Sequence, residues 1–146
     1  MTDKRSWKPH EMPVLLIGEA ARLLARRQDE SLRQVGLRVA QLPVIVALKN
    51  GEKLTQKELA RLAGVEQPSM AQLLARMERD GLVRREPAPD DGRSSLVSLT
   101  PAAVAQLEPG RDVLRQGNSD ALRGFSEHEV AQLAGMLRRV LANLGE

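Results

Sequence analysis

From Pro13 to about residue 35, apolar side chains return every three or four positions, at Val14, Ile17, Ala21, Leu24 and Leu32, with Leu16, Ala20 and Leu23 widening the stripe. This is the 3.6-residue repeat of an amphipathic helix, and Pro13 stands at a first turn, where its missing N–H costs nothing. A second helix is predicted over about 39–49, stopped by Asn50-Gly51, with Pro43 implying a late start or a kink. Thr55 and Glu58 have capping-box spacing ahead of Leu59, Ala60, Leu62 and Ala63, and Gly64 closes that helix. Pro68 opens another, with Met70, Leu73, Leu74 and Met77 at helical spacing as far as Asp80-Gly81. Residues 82–86 read as a strand, 87–94 as a turn-rich loop and 95–99 as a second, alternating strand. Thr100-Pro101 starts a helix to about Leu107, predicted to resume past Pro109-Gly110 and reach Leu122. Ser126 and Glu129 cap a last helix whose Val130, Leu133, Ala134, Leu137, Val140, Leu141 and Leu144 share one stripe.

The middle of this pattern is the informative part. Two short helices meet at a tight turn in which small Ala60 permits a close crossing, Gly64 permits the bend, and Val65, Met70 and Leu73 pin the second helix. That is a helix-turn-helix signature, and the hairpin after it makes a winged helix. The predicted fold is mainly α with a small β-hairpin wing. The polar face of the second helix carries Ser69, Gln72, Arg76 and Arg79, which suit base edges and phosphates; an ordinary solvated face is the plainer alternative, and position in the motif favours DNA. Thr55, Gln56, Gln67 and Ser95 are candidates for phosphate-backbone contacts, and Met70 is counted with the DNA-contacting set as well as with the apolar stripe. The tip Asp90-Asp91-Gly92-Arg93 fits a minor groove, whose negative potential favours arginine. As an acid/base pair the two aspartates lack a partner to split their pKa values, and as metal ligands they are too few; a turn-forming role competes for Asp90.

Composition narrows the classes. The 146 residues fit one domain, 42% of them are apolar and 28% charged, and no apolar run approaches the roughly 20 residues of a membrane span. The N-terminal stretch is too short in apolar residues for a signal peptide, so a cytoplasmic location is expected. The absence of cysteine removes disulfides, thiolate metal sites, cysteine nucleophiles and thiol redox sensing. His10 and His128 lie at opposite ends of the chain with no companion at ligand spacing, so no metal, cofactor or enzymatic activity is expected. The net charge of +3 is unevenly spread: +4 over residues 1–50 (nine basic, five acidic), zero over 51–95 (eight and eight) and −1 over 96–146 (five and six). Bulk charge therefore decides little. The terminal stripe, in contrast, exceeds what one small domain needs to cover, which points to a second subunit; the alternative is that it completes the monomer's own core.

Four segments in order carry a family resemblance: Leu54-Thr55-Gln56-Lys57-Glu58-Leu59-Ala60, Gly64-Val65-Glu66-Gln67-Pro68-Ser69, Glu78-Arg79-Asp80-Gly81-Leu82-Val83-Arg84-Arg85, and Asp90-Asp91-Gly92-Arg93 running into Leu99-Thr100. Together they resemble the MarR family of bacterial transcription regulators, with a likeness to its SlyA-like branch. The resemblance covers most of the chain and implies one MarR-type domain over 1–146, with a winged helix-turn-helix region over 36–100 and dimerisation helices over 1–35 and 101–146. It implies a homodimeric regulator, a repressor, on a pseudo-palindromic double-stranded DNA operator. Arg93 would enter the minor groove and Asp91 would orient it. Release by a small aromatic or heterocyclic acid is also implied. The family often has an aromatic residue where this chain reads Ala40-Gln41-Leu42-Pro43, so the anchors for a carboxylate effector are sought in Arg22, Arg26, Arg38 or Arg61, with Trp7 or His10 folding over. The rival reading is a winged-helix protein-interaction or antirepressor module that has lost DNA binding.

Overall fold

A computed structural model describes residues 7–145, apart from the side chain of Asp91. Helix α1 (Pro13–Arg33) follows a short 3-10 turn (Pro9–Glu11), and a second 3-10 turn (Val39–Gln41) leads into α2 (Leu42–Leu48). The late start foreseen at Pro43 is realised: the proline occupies the first turn of α2, where no donor is missed. The two-residue strand β1 (Leu54–Thr55) precedes α3 (Gln56–Ala63) and α4 (Gln67–Arg79), and the hairpin β2 (Val83–Ala88) and β3 (Asp91–Leu99) follows. Helices α5 (Pro101–Ala105), α6 (Leu107–Ala121) and α7 (Glu127–Leu144) complete the chain. The sheet is antiparallel in the order β1-β3-β2.

The core lies in the winged unit. Val44 and Leu48 of α2, Leu59 of α3, Met70, Leu74 and Met77 of α4, Val83 of β2 and Val97 of β3 are fully buried, and Leu32 brings the last turn of α1 into the same cluster. Within α1 only Leu32 is buried, and α7 has no buried residue. Val14, Leu15, Leu16, Ile17, Leu23 and Leu24 of α1 and Met136, Leu137, Leu141 and Leu144 of α7 are exposed, so the terminal stripe does not complete this chain's core. Val65, expected to pin the helix-turn-helix, is 43% exposed, which leaves that role to Met70 and half-buried Leu73.

Two boundaries differ from the predicted ones. The break after Thr100 falls at Gln106, and Pro109 and Gly110 lie inside α6: Pro109 is in the first turn, and Gly110 is buried where a Cβ would stand 2.8 Å from Leu37 Cδ1. The expected long loop at 87–94 shrinks to residues 89–90, with the rest assigned to the two strands, because proline, glycine and aspartate also populate bulged hairpins. Pro87 faces Ser95 while the next residue, Ala88, faces Asp91, so Gly92, Arg93 and Ser94 form a three-residue bulge on β3.

Candidate nucleic-acid interface

The helix-turn-helix is built by local chemistry. Thr55 caps α3, its Oγ1 accepting from Glu58 N at 3.2 Å. Gly64 ends α3 in the left-handed region (φ 67°), which lets Val65 N donate back to Ala60 O at 3.0 Å and turns the chain sharply into α4. The side-chain amide of Gln56 donates to Gln67 O at 3.5 Å and so ties the starts of the two helices. On α4, Met70, Leu74 and Met77 face inward at 0% exposure, and Ser69, Gln72, Arg76 and Arg79 are exposed at the complementary 3- and 4-residue spacing. Arg76 and Arg79 form no ion pair among the described residues.

The wing is anchored to that helix. Arg85 Nε of β2 meets Glu78 Oε2 of α4 at 3.0 Å, and Thr100 Oγ1 donates to Gly81 O at 2.6 Å, joining the base of the hairpin to the end of α4. Lys53 Nζ reaches Glu86 Oε1 at 2.6 Å, and this hydrogen-bonded ammonium holds the Glu86 carboxyl below the usual carboxylate range. Arg93 is exposed in the middle of the bulge, and Ser95 is half-buried opposite Pro87.

Most DNA-contact candidates are thus at the surface: Ser69, Gln67, Gln72, Arg76 and Arg93 are exposed, while Thr55, Gln56 and Ser95 are half-buried. Met70 must be removed from the set. Fully buried against the core, it cannot reach a groove, and its role is packing. The side chain of Asp91 lies outside the described residues.

A cavity of about 320 Å³ lies between the end of α1, the 3-10 turn and α4, lined by Asp29, Arg38, Ala40, Gln41, Leu73, Arg76 and Asp80. Asp29 Oδ1 accepts from Val39 N at 2.8 Å, and Gln41 Oε1 accepts from Arg38 N at 2.9 Å. Gln41 is 6% exposed, and with its oxygen so engaged its NH₂ group has no hydrogen bond among the described residues. Of the effector candidates Arg38 lines this cavity; Trp7, His10, Arg22, Arg26 and Arg61 do not. Trp7 stays 71% exposed, with its indole N–H donating to Met12 Sδ at 3.2 Å. Sequence reasoning missed Asp29, Gln41 and Asp80, because a cavity between distant segments has no periodic signal. A larger space of about 520 Å³ runs between α1 and α6. No helix among the described residues is long and apolar enough to cross a membrane.

The MarR family model matches residues 35–94, from the end of α1 through the wing bulge. A probable transcriptional regulator from Pseudomonas aeruginosa is 30% identical, with 91% of this chain and 99% of that one covered and a TM-score of 0.83. The chain belongs to the MarR family. Members of the family are transcriptional regulators and not enzymes, so no catalytic role attaches to the acidic wing. A mutant MarR from E. coli complexed with operator DNA is 27% identical over 86% of this chain and 91% of that one, with a TM-score of 0.79. The HTH-type transcriptional repressor IacR of Pseudomonas putida is 24% identical over 94% of this chain and 83% of its own length.

Proposed function

We propose that this regulator binds double-stranded DNA sequence-specifically as a homodimer, represses transcription from an inverted-repeat operator in the cytoplasm, and is released by a small aromatic or heterocyclic acid. The observation that carries the DNA reading is the exposed row Ser69, Gln72 and Arg76 on a helix held in place by the core, joined through the Glu78–Arg85 ion pair to a wing with Arg93 on its bulge. A helix of this kind fits a major groove and an exposed wing arginine fits the adjacent minor groove. The operator-bound MarR relative and the IacR repressor support the same reading.

Dimerisation is supported by the exposed leucine-rich faces of α1 and α7, which a second copy would cover through residues 1–35 and 101–146. The effector site we assign is the 320 Å³ cavity, at the lower end of the range for small-molecule pockets. There Arg38, Arg76 and the spare NH₂ of buried Gln41 offer donors to a carboxylate. Arg76 belongs to both surfaces, so an acid that engages it binds the DNA-free form more tightly, which is the differential affinity that release requires.

Selection from random duplexes tests the proposal. It is expected to return an inverted repeat with half-site centres about 34–36 Å apart. Failure to enrich any sequence would contradict it and favour the protein-interaction module, which the charge balance of zero over residues 51–95 also suits.

A further inference from the structure

Gly110 is the fourth residue of α6, a place where glycine costs about 1 kcal/mol relative to alanine. Its φ is not positive, so backbone freedom does not account for it. Space does: a Cβ built there would stand 2.8 Å from Leu37 Cδ1. Leu37 is 3% exposed and belongs to the core cluster, so its methyl has no open solvent to swing into.

Leu37 occupies the short link between α1 and the 3-10 turn that leads into α2. Its N–H donates to Leu32 O at 3.0 Å, and two residues on Val39 N is held by Asp29 of α1. Leu37 is therefore one of the buried side chains through which the long helices meet the winged unit, with Leu32 of α1 in the same cluster and Leu107, Val113 and Leu114 of α6 packed against it. We propose that the Leu37–Gly110 contact is a specificity-determining element that sets how far apart the two recognition helices stand, and hence which half-site spacing the regulator accepts. The inference rests on the dimeric operator reading above. Relieving a 2.8 Å overlap to an ordinary carbon contact of about 3.5–4.0 Å moves α6 against the winged unit by roughly 1 Å. Two-fold symmetry doubles that displacement, which is then a substantial part of the roughly 3.4 Å rise of one base pair.

The test is an anisotropy titration of wild-type, Gly110→Ala and Leu37→Val/Gly110→Ala proteins against the selected operator and versions with base pairs added to or removed from its centre, with sedimentation run alongside. The inference expects a folded, dimeric G110A protein whose optimum moves by a base pair or whose affinity at the wild-type spacing falls about tenfold, about 1.4 kcal/mol. The double variant, which removes the opposing methyl, should regain the wild-type profile. An unchanged G110A profile, or equal weakening at every spacing, overturns the inference. If G110A does not fold, L37V alone decides: a broadened profile supports the inference and an unchanged one overturns it. A wild-type protein indifferent to spacing would instead refute the dimeric operator reading, and the inference with it.

Discussion

Arg93 sits in the middle of the three-residue bulge on β3, and such bulges re-aim side chains. Arg93→Ala should therefore lower operator affinity about tenfold or more, within the 1–3 kcal/mol typical of a specific base contact, and leave the unfolding midpoint in place because the residue is exposed. Operator titration and thermal unfolding of the same variant check both halves. Met70→Ala should do the reverse, costing about 2–5 kcal/mol of stability by opening a cavity in the core. A destabilisation below about 0.5 kcal/mol, the scale of surface substitutions, would contradict its burial. At this scale the exposed polar face of α4 was legible, because 3.6-residue spacing separates Ser69, Gln72 and Arg76 from Leu74 and Met77. Met70, directly after Ser69, shows the limit: neighbours in sequence on a helix point about 100° apart, and a short stretch does not mark which side of the boundary a residue falls on. Gln41 and Asp29 were not legible as a site, since they meet only through the tertiary fold.

At the scale of elements, the wing depends on a few polar ties to the body. The Glu78–Arg85 pair is half exposed on the glutamate side, so Glu78→Gln should change stability by no more than about 1 kcal/mol, and its larger effect should be on wing-dependent DNA affinity. A loss of operator affinity comparable to that of R93A, with little change in unfolding by denaturant, is the expected pair of results. The Lys53–Glu86 tie has a pH signature. The Glu86 pKa is lowered in the fold, so its stabilisation is present above the carboxylate's unfolded pKa and is lost as pH falls through the lowered folded value. Caps and turns were the most readable elements: Thr55, Gly64, Thr100 and Ser126 stand where the sequence pattern puts them, and Ser126 and Glu129 complete a reciprocal capping box. Hairpin length and the α5–α6 boundary were less readable, because proline and glycine mark a chain stop or a tight approach with the same letters, and Leu37 decides between them at Gly110.

For the whole molecule, the winged unit holds nearly all of the core while α1 and α7 leave large apolar faces in the open. That imbalance was visible in the last helix's stripe, but the geometry of the proposed dimer was not, since it would depend on a second copy. Leu141, 65% exposed in the single chain, tests it: Leu141→Arg should leave the monomer folded, shift sedimentation from about twice the 16.1 kDa chain mass toward the chain mass, and abolish high-affinity operator binding. The most direct test of the central claim is an anisotropy titration of the wild-type protein against its selected operator at about 50 and 200 mM salt with scrambled competitor. A DNA-binding winged helix making several phosphate contacts should resist the competitor and lose orders of magnitude in affinity as salt rises. Weak binding, equal for operator and scrambled DNA, would contradict the account.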